Sequence, residues 1–148
     1  SPFNAWVLMK SLETIALRVE RQAQNAAAIA AWLERRPGVV KMRYPGLESH
    51  PQHALAQRQM SNGGTLLAFT VEGGRQAAFR ALNALKLIDI SNNLGDSKTL
   101  ACHPASTTHS SVGAAERADM GIDEGSIRIS VGLEDVEDLK ADLDTALA

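Results

Sequence analysis

The stretch "GSIRISVGLED", residues Gly125 to Asp135, sets one arginine inside an apolar alternation. Strand side chains alternate with period two. Ile127, Ile129 and Val131 therefore share one face of a strand, and Arg128 and Ser130 share the other. Two readings of Arg128 stand at this point. It belongs to a solvated outer face, or it is a fixed cation waiting for a carboxylate. The second has a chemical basis: a planar guanidinium gives two parallel charge-assisted hydrogen bonds to a carboxylate, and a strand is a stiff mount for it.

Downstream, Val136, Leu139, Leu143 and Leu147 line one face of a last helix. Glu134, Asp135, Glu137 and Asp138 crowd its start, where the helix dipole favours negative charge. Upstream, strands and helices alternate. "VVKMRY" (39–44) and "TLLAFTV" (65–71) read as strands, "LIDIS" and "SKTLAC" as shorter ones. Helices are expected over about 53–60, 76–85 and 112–120, with breaks at Pro45-Gly46, Asn62-Gly63-Gly64, Gly73-Gly74 and Gly121. The pattern predicts an α/β (α+β) domain, a small sheet with helices packed on it.

Residues 2–35 read as one long helix, with Ser1 as N-cap, Pro2 at the first helical position and a stop before Pro37-Gly38. Its first third is apolar on every side, through Phe3, Trp6, Val7, Leu8, Met9 and Leu12. Such a helix needs burial all round. A chain of 148 residues offers one side only, so the other faces are expected to meet a further domain or another subunit. The chain does not begin with Met and reads as a piece of something longer.

Composition narrows the function classes. The apolar fraction is 45% and the charged fraction 22%, ordinary for a globular domain. A net charge of −2 implies no general attraction to nucleic acid or anionic membrane. No apolar run reaches membrane-spanning length. Cys102 is the single cysteine, so no internal disulfide forms and a reducing, cytoplasmic setting is expected.

"CHPASTTH" brings together Cys102, His103 and His109, and adds Ser106, Thr107 and Thr108. It lacks the paired spacing of zinc motifs, and no orienting acid accompanies the hydroxyls. A structured loop is the expected reading, with no metal. His50 and His53 suit the start of a helix better than ligation. The glycines of "SNNLGD" and "VEGG" match no phosphate-binding pattern.

Two longer stretches carry a resemblance. "SNNLGDSKTLACHPASTTHSS", with "RADMGIDEGSIRISVGLEDVEDLKADL", closely resembles the carboxy-terminal end of the pyridoxal-phosphate-dependent Cys/Met-metabolism enzymes. "SPFNAWVLMKSLETIALRVERQAQNAAAIAAWLE" resembles the helix linking that family's large cofactor domain to its small domain, and "YPGLESHPQHALAQRQM" and "GGTLLAFTV" agree as well. The resemblance implies a fold type I enzyme's small domain, a mostly antiparallel sheet with helices on one side. Residues 1–35 would be the linking helix and 36–148 the domain itself. It implies that Arg128 binds a substrate α-carboxylate, with Asn93, Leu94 and Thr108 lining the same pocket. Asn93-Leu94-Gly95 stands where the family commonly has Ser-Leu-Gly, so an amide replaces a hydroxyl. The "ISNNLGD" wording is most similar to the O-succinylhomoserine sulfhydrylase branch. Cystathionine γ-synthase, cystathionine lyases and methionine γ-lyase share nearly all the motifs.

The same resemblance implies pyridoxal 5′-phosphate held mainly by the large domain, a small amino-acid substrate and a homotetramer. The Schiff-base lysine lies in that large domain. None of Lys10, Lys41, Lys86, Lys98 or Lys140 stands in the matching context, so the chain alone is expected to be inactive. A free-standing, non-catalytic binding module is the alternative from another class.

Overall fold

Five stretches form strands: β1 (Val39–Arg43), β2 (Leu66–Val71), β3 (Asp89–Ile90), β4 (Leu100–Cys102) and β5 (Ser126–Ser130). The computed structural model describes residues 1–148 and places the strands in one sheet, ordered β1-β2-β5-β4-β3. Every neighbouring pair is antiparallel except β3 and β4. The arginine strand is the middle one. Ile129 sits between Leu67 of β2 and Ala101 of β4, and Arg128 between Ala68 and Cys102. At the margins, β1 carries an irregularity between Val39 and Lys41, and β3 is two residues long.

The alternation becomes two faces. Leu67, Phe69, Val71, Ala101, Ile127 and Ile129 are buried on one of them. Helices α2 (Ile15–Leu33), α4 (Gly74–Ala84) and α6 (Val136–Ala146) cover that face with Ile29, Leu33, Ala78, Leu82, Leu139 and Leu143. Each fully buried aliphatic or aromatic side chain contributes roughly 1.5–3 kcal/mol, so this layer is the main stabilising contact. Two short helices, α3 (His53–Gln59) and α5 (Ala114–Asp119), and a 3-10 turn over Pro104–Ser106 complete the fold. Apart from the linking helix, the expected strands and helices are present, within a few residues at their ends.

The linking helix differs from its expectation. It is two helices, α1 (Pro2–Leu12) and α2, separated at Glu13-Thr14. Ser11 donates its hydroxyl back to Val7 O at 2.9 Å, a bond that bends helices. Arg18 Nη2 donates to Ser11 O at 2.8 Å, and Arg18 Nη1 donates to the Thr14 hydroxyl. A guanidinium inserted into the backbone ladder is an ordinary cause of a kink. Thr14 accordingly leaves helical geometry, at φ −114° and ψ 9°. Ser1 does cap α1, accepting from Asn4 N at 3.3 Å. No residue of α1 is buried: Phe3, Trp6 and Met9 are 68%, 58% and 68% exposed.

Tyr44, just past β1, explains two of the glycine breaks. Its ring fills the space that a side chain on Gly46 or Gly63 would need. Its hydroxyl donates to Gly64 O at 3.0 Å, and burial raises its pKa.

Candidate functional site

Arg128 stands on the sheet face away from the three covering helices. Its row is low: Ala68 on one side and Cys102 on the other. Nη2 donates to Asn92 O at 2.8 Å and to Asn93 O at 3.3 Å. Nε is buried without a partner, and Nη1 has no partner in the chain. Arg36, Arg75 and Arg117 each pair with a carboxylate, but none lies within ion-pair distance of Arg128. Ser126 and Ser130 on either side are 6% and 1% exposed, while Arg128 itself is half-buried.

The loop that meets Arg128 is tied down at one end. Gly95 turns it in the left-handed region, φ 80°, and its N–H donates to Ser130 Oγ at 2.9 Å. Gln22 of α2 donates Nε2 to Asp96 O at 2.6 Å. Leu133 N donates to Ser97 O at 2.8 Å. Glu134 accepts from Thr99 N at 2.6 Å and from Thr99 Oγ1 at 2.8 Å. Asn25 of α2 donates to Gly132 O at 3.2 Å and Glu134 O at 2.9 Å. Gly132 is required here: a Cβ would lie 2.5 Å from the Lys98 carbonyl carbon and the Ser97 oxygen. Glu134 therefore departs from its expected role at the helix start. Asp135 is the cap, accepting from Glu137 N at 2.8 Å, while Glu134 turns inward.

Of the residues singled out from sequence, Arg128 and Asn93 meet, through the Asn93 carbonyl and not its amide. Leu94 is 56% exposed beside them. Thr108 bonds its neighbour His109 at 2.8 Å and makes no bond to Arg128 or its loop. Cys102 is buried under the arginine row; burial pushes its thiol pKa up, with the Arg128 charge and the Thr107 hydroxyl pulling it back. His103 is buried, with Nε2 donating to Glu124 O at 2.8 Å and Nδ1 hydrogen-bonded to Ser106 Oγ at 2.8 Å. Those partners tie both ring nitrogens to the chain. No group of three or more His, Cys, Asp and Glu residues comes together as a metal site. Lys10, Lys41, Lys98 and Lys140 are held in ion pairs, and Lys86 is exposed.

The residues that the sequence reading missed are Asn92, Gln22, Thr99 and Ser130, the last read only as a neighbour of Arg128. Ser130 carried a weak signal, a hydroxyl two positions from the arginine on the same strand face.

The family model for Cys/Met metabolism PLP-dependent enzymes matches residues 1–148. The chain belongs to that family. It is 53% identical to the O-succinylhomoserine sulfhydrylase of Mycobacterium tuberculosis, with all of this chain and 37% of that protein covered. It is 49% identical to the L-methionine gamma-lyase of Pseudomonas putida, covering 99% of this chain and 37% of that one. It superimposes on a crystal structure of an O-acetylhomoserine (thiol)-lyase from Campylobacter jejuni with a TM-score of 0.94, at 40% identity, over 99% of this chain and 35% of that one. That structure carries N′-pyridoxyl-lysine-5′-monophosphate. The chain thus spans little more than a third of these relatives.

Proposed function

We propose that this chain is the small domain of an O-succinylhomoserine sulfhydrylase, in which Arg128 holds the α-carboxylate of the substrate. The observation that carries the reading is the guanidinium itself, half-buried on a stiff strand, with Nε and Nη1 unpartnered and no acid beside it. A carboxylate would supply the missing charge and accept from the unpartnered Nη1. The full reaction exchanges the succinyl ester at the γ-carbon for sulfide, giving homocysteine and succinate. Pyridoxal phosphate, when bound, supplies the electron sink for carbanions at the α- and β-carbons. This chain's part is orientation. With the carboxylate pinned, the α-carbon stays aligned for proton removal, the kind of positioning that lowers barriers by fixing reacting groups in place.

The sulfhydrylase reading over the lyase reading rests on the Asn92-Asn93-Leu94-Gly95 wording and on the 53% match. Assembly as a homotetramer belongs to the same proposal, supported by the uncovered apolar surface of α1. A cytoplasmic setting belongs to it as well, supported by the unpaired Cys102.

The test is Arg128→Ala in the full-length enzyme. Truncating a buried charged partner typically costs about 2–5 kcal/mol, so kcat/KM for O-succinylhomoserine should fall by roughly 10²–10³. KM should rise and cofactor absorbance should persist. Unchanged kinetics would remove Arg128 from the site. Methionine cleavage outrunning succinylhomoserine turnover would move the enzyme to the lyase branch.

A further inference from the structure

Asn92 and Asn93 hydrogen-bond the rest of the fold only where their carbonyls meet Arg128, apart from the local bond of Asn93 N to Ser91 Oγ at 3.2 Å. Three residues further along, the loop is fastened hard. Gly95 N is held by Ser130 Oγ at 2.9 Å and Asp96 O by Gln22 Nε2 at 2.6 Å, both side chains being nearly fully buried. Ser130 stands two positions from Arg128 on the same strand face, so strand β5 grips the loop at both ends of Asn92–Gly95.

Building on the Arg128 reading above, we infer that Ser130 and Gln22 are positioning residues. They fix the Asn92–Gly95 turn so that two backbone carbonyls aim the Arg128 fork. The physical argument is geometric. A guanidinium on a long side chain has many rotamers, and the two carbonyls that accept from Nη2 select the one that leaves Nη1 unpartnered. The carbonyls are on an exposed loop that has no other tertiary hydrogen bond at Asn92 or Asn93. Ser91 N, donating to Ala101 O at 3.0 Å, holds the turn on one side, and the pegs at Gly95 and Asp96 hold it on the other. Gln22 lies on α2, so the peg also ties the aim of Arg128 to the helix that runs on from α1.

The experiment is a double-mutant cycle in the full-length holoenzyme. Ser130→Ala should raise KM for the amino-acid substrate about 5- to 20-fold, leave KM for sulfide unchanged and hold kcat within about threefold. Cofactor absorbance should not change. In an Arg128→Lys background the same serine change should cost less than twofold, because a point cation does not need an aimed fork. Gln22→Met, which removes the other peg from outside the strand, should repeat the KM effect and serves if Ser130→Ala fails to fold. Equal losses in both backgrounds would overturn the inference, as would an unchanged KM in both peg variants. Arg128→Lys alone leaving KM unchanged would instead defeat the carboxylate reading on which it rests.

Discussion

Helix α1 and the turn that fastens Gly95–Thr99 to β5 depart from ordinary burial in opposite directions. In α1, Phe3, Trp6, Leu8, Met9 and Leu12 all face water and none is buried, the rings of Phe3 and Trp6 lying 6.2 Å apart. At the fastened turn, Gln22, Asn25, Thr99 and Ser130 are buried, and each is hydrogen-bonded. The contrast separates two kinds of debt. The buried polar groups are satisfied inside the chain, so they contribute to its own stability and to the shape of the site. The exposed apolar groups are satisfied only by something outside it, at about 25 cal/mol for each Å² covered. Substitutions should therefore register in different experiments for the two regions.

The largest effect on the chain's own stability should come from Glu134→Ala. It strips the acceptor from Thr99 N and the fully buried Thr99 hydroxyl, hydrogen bonds to a charge worth about 1.5–3 kcal/mol each. Urea unfolding should lose about 3 kcal/mol, and a loss below 0.5 would show that the polar cluster is not structural. Deleting residues 1–12 should give the opposite result. Unfolding free energy should stay within about 0.5 kcal/mol, while self-association measured by light scattering falls. A large loss of stability would mean that α1 packs on the domain.

A smaller effect belongs to acid. Arg75 and Arg117 both bond Glu124, and the Arg75 bond is the main cause that lowers the Glu124 pKa. A depressed carboxylate stabilises the fold above its unfolded value near 4.3. That contribution fades as pH falls through the lower folded value. Glu124→Gln should flatten the stability curve below about pH 4.3, read by thermal melts; a curve identical to wild type would dismiss the pair. Thiol labelling should show the least. Cys102 is buried with a raised pKa, so native protein at pH 7 should react with a maleimide far more slowly than unfolded protein.

Most of the fold was legible because it rests on period. The alternation through Ile127, Ile129 and Val131 and the spacing of Val136, Leu139 and Leu143 both survive as buried faces. The break at Glu13-Thr14 was not legible. Apolar spacing from Leu8 to Val19 continues across it, and the cause is a guanidinium reaching back from Arg18. Glu134 was misread for a related reason. Its sequence neighbours make it look like one more acid at a helix start, but its partner Thr99 is 35 residues away. Arg128 was ambiguous from spacing alone. Only the folded chain shows that a loop covers it with carbonyls, and that no acid answers its charge.

The irregular register of β1 between Val39 and Lys41 has a consequence for how copies of the chain meet. Lys41 and Arg43 charge that margin, and the opposite margin is only Asp89 and Ile90, with Lys98 clasped to Asp89. A bulged cationic rim and a two-residue rim are both poor templates for strand addition. Clumping of the isolated polypeptide should therefore be helical in character, reversible by detergent and free of cross-β order.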